Sequence, residues 1–247
     1  REGKGACQAD KNLVKYKIKR VEIQEELRLA KLQKESLVDQ VYQHLREDII
    51  TLRLPLGSHV NVNSLQSQLG VSCTPIREAV NRLQQEGLIL YENNIGATVL
   101  NLDAHDVQEI QELALTLQKE AVKLSMERGD RDVMAREIEH QLQLYRRANS
   151  PREEVQAVRE LIGVFYHHCG NGRLDRSMIA IQGQQLLLRY LYCSWREHKK
   201  EEADFLQILQ GVREGNTECI CAALEHNAQQ AQGEILSHLE ELQCSAV

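Results

Sequence analysis

The sequence has few aromatic residues and few prolines, which argues against a β-rich fold. Aromatic residues make up 4% of its 247 residues and prolines number three, whereas Leu, Gln, Glu, Ala and Arg are abundant. This composition favours helix. No apolar run approaches the ~18 residues of a membrane span, and no charged-then-apolar signal segment opens the chain. We therefore predict a mainly α, cytoplasmic protein that makes no contact with a membrane.

The seven cysteines do not form a metal-binding or disulfide pattern. They are odd in number, scattered along the chain and without a C-x-x-C pair. Free thiols are the expected state, and a zinc site is not expected.

The length and the charge pattern divide the chain. A chain of 247 residues is longer than one compact core usually needs, so we expect two domains. Residues 1–36 hold ten Lys/Arg against six Asp/Glu, residues 37–100 four against six, and residues 101–247 sixteen against twenty-four. We interpret residues 1–36 as a basic extension, which is either a solvated segment or an arm that supplements a DNA or partner contact. Residues 13–35 fit a helix and equally a strand followed by a helix.

The segment 72–88, SCTPIREAVNRLQQEGL, predicts a helix with two distinct faces. Ser72 is a good N-cap, and Gly87 is a typical stop. Ile76, Val80 and Leu83 recur at helical spacing and form an apolar stripe. The opposite face is polar and suits phosphates and base edges; it carries Thr74, Arg77, Asn81, Arg82 and Gln85.

The neighbouring segments complete a helix-turn-helix with a wing. Residues 63–69 predict a short helix that a tight connection at Gly70 joins to the polar-faced helix. Residues 37–50 carry apolar residues four apart and predict an earlier helix. After Gly87, LILYENNIGATVL reads as a two-stranded hairpin.

This order of elements resembles the N-terminal winged helix of the GntR family of bacterial transcription regulators. The pieces that match are LGVS, TP-I-RE-A, RLQQEGL and the glycine of the wing, within residues 37–100. The resemblance implies a homodimer on a palindromic operator in double-stranded DNA, with the polar-faced helix in the major groove and the wing at the flanking backbone. On this basis we expect DNA contacts from Arg53, Ser72, Thr74, Arg77, Asn81, Arg82 and Gly96.

Two positions depart from the family pattern. Members usually carry an arginine where this chain has Cys73, and a basic residue where it has Ile95. One lost bidentate contact to guanine would cost ~1–3 kcal/mol of discrimination. The departures leave open an alternative, a fold-retaining interaction or sensor protein that no longer binds specific DNA. For Arg77 the alternatives are a DNA contact and an ion pair with Glu78 or Glu86.

Residues 101–242 predict roughly six helices in an antiparallel bundle. Their order is similar to the effector-binding and dimerisation domain of the FadR branch (FCD type), in which a metal is often held inside the bundle. The positions that correspond to the metal ligands hold Val158, Ile162, Phe205 and His226, and the position of a frequent effector-binding arginine holds Ala114. One imidazole does not make a transition-metal site. We therefore expect no metal and no other cofactor.

Two interpretations of that apolar set remain open. Ala114, Val158, Ile162, Phe205 and His226 line either a cavity for an apolar or larger effector or an ordinary filled core, and we favour the filled core. Glu201, Glu202 and Asp204 read as a solvated acidic run. No phosphate loop, nucleophile elbow or H-E-x-x-H pattern indicates an enzyme. The sequence thus predicts a transcriptional regulator, such as a repressor, whose operator affinity depends on an effector or partner at the helical domain.

Overall fold

The computed structural model describes residues 36–92 and 96–239. Within these ranges the mainly α fold is confirmed: nine helices and one two-stranded sheet. The expectations for residues 1–35 and for Ile95 lie outside the described residues. The elements are α1 (Leu37–Ile50), α2 (Val62–Leu69), α3 (Cys73–Gln85), β1 (Ile89–Glu92), β2 (Gly96–Val99), α4 (Ala104–Arg128), α5 (Arg131–Arg147), α6 (Pro151–His168), α7 (Gly172–Cys193), α8 (His198–Glu214) and α9 (Thr217–Ser237).

The two helices before α3 begin and end on side-chain signals. A reciprocal capping box between Ser36 and Asp39 starts α1. The Asn61 side chain accepts hydrogen bonds from two backbone N–H groups at the start of α2, and Gly70 ends that helix with a φ of 65°. This left-handed conformation is one that glycine adopts without strain. The tight connection to α3 follows from it.

Helix α3 has the expected apolar stripe and the expected N-cap residue. Ile76, Val80 and Leu83 are buried, which confirms the inward face. Ser72 occupies the N-cap position, as predicted, although its side chain accepts no hydrogen bond there. The reason is Pro75, which stands at the third helical position, where the N–H that a cap usually accepts from is missing.

The wing is confirmed as an antiparallel pair. Ile89 lies opposite Val99 and Glu92 opposite Gly96. His59 forms a further antiparallel bridge with Thr98, and Val60 N–H donates to the carbonyl of Ala97. The segment before α2 is therefore tied to the wing.

The six helices α4–α9 form an antiparallel bundle in which α5 packs on α6 and α9 packs on both α4 and α8. Short polar side chains cap most of them, among them Asp103, Asp130, Ser150, Asn171 and Asn216. None of the described helices combines the length and hydrophobicity needed to cross a membrane. The five described cysteines are free thiols.

The winged helix rests on the bundle through a shared apolar core. Leu88 and Ile89 belong to the same cluster of buried residues as Leu187 and Leu191 of α7. At Gly183 the approach is so close that an added Cβ would lie 2.8 Å from Leu88 Cδ1. Helix α7 is therefore the main support of the winged helix. A second buried cluster lies wholly within the bundle.

Candidate nucleic-acid interface and ligand cavity

The polar face of α3 is exposed, as the sequence predicts. Thr74, Arg77, Asn81, Arg82 and Gln85 all lie on the solvent side, while Ala79 and Pro75 are buried beneath them. Ser72 is exposed at the start of the helix, and Cys73 Sγ donates to Gln66 Oε1 over 2.9 Å. A helix that presents hydrogen-bonding side chains in this way fits the major groove of B-DNA.

A groove of about 790 Å³ separates α3 from the wing. Three parts of the winged helix line it: the segment before α2, the exposed side of α3, and both strands. Its polar lining consists of His59, Asn61, Arg77, Asn81 and Tyr91, with Gly96 at the start of β2. Of the predicted DNA-contacting residues, the structure brings Arg77, Asn81 and Gly96 together here.

Two of the predicted arginines are already in ion pairs. Arg82 Nη1 lies 2.6 Å from Asp39 Oδ1, and Arg53 Nε lies 2.9 Å from Asp48 Oδ1. A hydrogen bond from Ser36, and then the Arg82 guanidinium, lower the pKa of Asp39. Such exposed pairs contribute little to stability, so DNA could displace them at small cost.

Arg77 is not paired in this way. Glu86, one of its two expected partners, accepts hydrogen bonds from Tyr42 and from Arg46 Nε at 2.9 Å. Among the described residues no ion pair joins Arg77 to Glu86 or Glu78. Its guanidinium therefore remains available on the exposed face of α3.

A second cavity, of about 400 Å³, lies in the bundle between α4, α6 and α7. Val158 and Ile162 line it, together with Gln118 of α4. The space between these helices is therefore not a filled core. Tyr166 also lines the cavity, and its hydroxyl is buried without a hydrogen-bond partner among the described residues. Burial raises the pKa of Tyr166, so this hydroxyl stays protonated and can both donate and accept.

The other three predicted cavity residues lie elsewhere. Ala114 is buried but does not line the cavity. Phe205 is buried in the second core, edge-on to Tyr145 with ring centroids 5.3 Å apart. The side chain of His226 is 58% exposed, and its Nδ1 lies 2.7 Å from Asp204 Oδ1. The prediction that all five residues share one cavity was therefore wrong, because Ala114 of α4 is buried outside it, α8 directs Phe205 into the core and α9 directs His226 to the surface.

The ligand positions of the related metal-binding bundles do not fit a metal here. Val158, Ile162 and Phe205 offer no donor atom, and the imidazole of His226 is paired with Asp204. No cluster of three or more His, Cys, Asp or Glu side chains suited to a metal occurs in residues 36–92 and 96–239. The absence of a metal stays a prediction.

The expected solvated acidic run is wrong at two of its three positions. Glu201 is 1% exposed and Asp204 2% exposed, whereas the side chain of Glu202 is 32% exposed and pairs with Arg146. Helical spacing explains the difference, because Glu201 lies four residues before Phe205 on the inward face of α8, and Glu202 does not.

Glu201 is the centre of a buried polar network. It accepts a hydrogen bond of 2.6 Å from Tyr145 Oη and one from Arg189 Nη1. Arg196 Nε lies 2.7 Å from Oε2, the oxygen that accepts from Tyr145. Burial, and then the charge of Glu201, raise the pKa of Tyr145, so the tyrosine remains a donor. Arg189 also donates to Asn227 Oδ1 over 3.0 Å.

Arg189 connects this network to the cavity. Its side chain lines the cavity as well as bonding to Glu201. Sequence reasoning missed Arg189 and Tyr166. The spacing of the buried residues of α6 and α7 places both on inward-facing turns, but that spacing alone does not show that an empty space lies in front of them.

The fold and the exposed helix together define a class: a winged-helix DNA-binding unit joined to an all-helical bundle. Residues 37–99 match the model of the bacterial regulatory proteins of the gntR family. The winged helix of this chain is thus a GntR-family domain.

Curated relatives match part of the chain. The HTH-type transcriptional regulator YdhC of Bacillus subtilis (strain 168) is 29% identical over 136 residues, which is 52% of this chain and 60% of that protein. The Nta operon transcriptional regulator of Aminobacter aminovorans is 39% identical over 73 residues, 30% of this chain and 35% of that protein. The chain thus spans less than two thirds of the length of these relatives.

Solved structures match over both parts. A GntR transcriptional regulator from Rhodococcus sp. RHA1 superposes with a TM-score of 0.68 at 20% identity, covering 82% of this chain and 99% of that one. McbR/YncC of E. coli superposes with a TM-score of 0.61 at 21% identity, covering 85% and 99%. At this identity the likeness concerns the fold: a winged helix followed by this bundle.

Proposed function

We propose that this chain is a cytoplasmic, homodimeric transcriptional regulator that binds a palindromic operator through α3 and the wing. The observation that carries the proposal is the exposed Arg77, which has no ion-pair partner among the described residues and lies beside Thr74 and Asn81 on α3 of a GntR-family winged helix. In a dimer, two such helices about one turn of DNA apart, ~34 Å, would enter successive major grooves. The chain acts by binding rather than by catalysis.

Each side chain on the exposed face has a distinct role in this proposal. Arg77 donates a fork of N–H groups to guanine or to phosphate, and Asn81 can pair with the edge of adenine. Thr74 and Ser72 hydrogen-bond to the sugar-phosphate backbone near the start of the helix. Gly96 lets the wing approach the flanking backbone closely. Arg53 and Arg82 contact phosphates after exchanging their carboxylate partners.

The bundle supplies regulation through its cavity. We assign to it a small ligand with an apolar body, which would pack on Val158 and Ile162, and a polar group that pairs with the guanidinium of Arg189. Helix α7 couples the two parts, because Arg189 faces the cavity whereas Leu187 and Leu191 support the winged helix. A ligand that prefers one position of α7 would change operator affinity by its difference in binding energy between the two arrangements. This is the arrangement expected of the FCD type.

The second candidate is an interaction protein that keeps the fold without sequence-specific DNA binding. Cys73 favours it, because a thiol offers no bidentate fork to guanine. The ion pairs of Arg53 and Arg82 also reduce the free positive charge of the winged helix.

Replacing Arg77 with alanine tests the DNA-binding face. Duplexes enriched from a random pool by the wild-type protein supply the probe, and fluorescence anisotropy at fixed salt gives the affinity. If Arg77 makes a bidentate or phosphate contact, Arg77→Ala should raise Kd about 5- to 150-fold, which corresponds to ~1–3 kcal/mol.

Arg136→Ala is the matched control, since Arg136 is an exposed arginine on α5 of the bundle. It should leave Kd within about twofold. Equal losses in both variants, or none in Arg77→Ala, would remove Arg77 from the interface. Failure of the wild-type protein to enrich any sequence would favour the interaction protein instead.

The ligand proposal can be tested by thermal unfolding and by a variant that fills the cavity. Tm is measured in the presence of candidate ligands: medium-chain fatty acids, aromatic carboxylates and phenols. A ligand at 100 times its Kd stabilises the folded state by ~2.7 kcal/mol and should raise Tm by about 5–10 °C. Ile162→Trp places a ring in the cavity and should abolish that rise, whereas Leu144→Trp, on the exposed side of α5, should keep it. A rise that survives in Ile162→Trp would place the ligand elsewhere.

A further inference from the structure

The winged helix has little positive charge to offer DNA. Residues 37–100 contain four arginines and no lysine. Arg46, Arg53 and Arg82 are in ion pairs with carboxylates. Among the described residues of the winged helix, Arg77 therefore provides the permanent positive charge that is not in an ion pair, although phosphate neutralisation supplies much of DNA affinity.

A histidine stands where additional charge would be useful. His59 is exposed and lines the groove between α3 and the wing, together with Arg77. Its backbone bridge to Thr98 of β2 fixes it beside the wing. Within the described residues its ring has no hydrogen-bond or ion-pair partner. The backbone of His59 is thus fixed beside the wing, and its ring is accessible to a ligand.

The described groups that line the groove with His59 carry no negative charge, so a protonated His59 has no counter-ion among them. Helix α3 contributes the cationic Arg77 and the neutral Asn81, β1 contributes Tyr91, and the segment before α2 contributes Asn61. None of the described residues lining the groove is a carboxylate. A protonated His59 would therefore pair with an anion from outside the protein. DNA bound to the exposed face of α3 would supply such an anion, a backbone phosphodiester, in this groove.

We infer that protonated His59 binds a phosphate of the operator beside Arg77, so that the DNA affinity of this protein rises as pH falls. The inference rests on the proposed DNA-binding function. Imidazole titrates near pH 6.5 in model peptides, within the range that a cell can reach. His59 would thereby replace part of the charge missing at Cys73.

The direction follows from proton linkage. The imidazolium form attracts phosphate and the neutral form does not, so DNA binding takes up a proton. The added affinity is largest at acidic pH, where the imidazolium form prevails, and is lost as pH rises. One ion pair at an exposed site corresponds to about a fivefold change in Kd. It also adds ~0.9 to the magnitude of the slope of log K against log salt.

The test compares anisotropy titrations of one enriched duplex at pH 6.0 and pH 8.0 for the wild type and three variants. In the wild type Kd should be about fivefold lower at pH 6.0. His59→Gln should bind equally at both pH values, with the Kd that the wild type shows at pH 8.0. His59→Lys should bind tightly at both. His44→Gln removes a histidine of α1 that pairs with Asp48, and it should keep the wild-type pH dependence.

Each other outcome is decisive. If His59→Gln keeps the pH dependence while the wild type still prefers its enriched duplex, the inference is wrong and the proposed function stands. A loss of pH dependence in His44→Gln would assign the effect to α1 and likewise overturn it. If the wild type binds no sequence preferentially at either pH, the proposed function fails and the inference fails with it.

Discussion

Replacing Glu201 with glutamine is expected to lower the free energy of unfolding by about 3–5 kcal/mol. Glu201 is 1% exposed and faces two guanidinium groups, those of Arg189 and Arg196. Removing its charge leaves a fully buried cation, Arg196, and a partly buried one, Arg189, close together with one fewer counter-charge. The side chain of Arg196 is itself fully buried in this cluster, so water cannot take the place of the carboxylate.

The neighbouring Glu202 provides the control within the same helix. Its pair with Arg146 is partly exposed, so Glu202→Gln should cost less than about 1 kcal/mol. Urea unfolding followed by far-UV circular dichroism gives both values. Similar losses of unfolding free energy in the two variants would mean that Glu201 is not the centre of a buried charged network.

Replacing Leu187 with alanine is expected to destabilise the winged helix and the bundle together, by about 2–5 kcal/mol. Leu187 is fully buried on α7, in the cluster that also contains Leu83 and Leu88 of the winged helix. Because that core is continuous, the cavity left by the substitution weakens contacts on both sides.

Hydrogen exchange detects this coupling directly. Amides of α3 and of α7 should lose protection to a similar extent in Leu187→Ala. Leu113→Ala, an exposed leucine on α4, should change neither by more than about 0.5 kcal/mol. If α3 kept its protection while α7 lost it, the two parts would be separate folding units and the shared core would not couple them.

Most of the fold could be predicted because its signals are local. The stripe of Ile76, Val80 and Leu83, the stop at Gly87 and the hairpin after it each depend on a few neighbouring residues. The same is true of the six helices of the bundle. The N-cap position of Ser72 was predicted from local residues too, whereas the missing side-chain hydrogen bond follows from the proline three residues later.

The interior of the bundle could not be predicted in the same way. Glu201 and Asp204 look like surface residues in the sequence because they stand in a charged run. Their burial depends on Arg189 and Asn227, which come from other helices. The cavity beside Ile162 depends on how far α6 and α7 stand apart, a distance that no local pattern records. The spacing found in related bundles assigned His226 to the cavity, and that assignment failed for a similar reason. Spacing gives a position along α9 but not the direction of the side chain.

The central claim is that the exposed face of α3 and the wing bind specific DNA. The most direct measurement is a titration of the wild-type protein against an enriched duplex and a scrambled duplex of the same composition, at two salt concentrations. We predict at least 10³-fold tighter binding to the enriched duplex, in the range of specific regulators, with affinity for both falling as salt rises. Equal affinity for the two duplexes would contradict the claim.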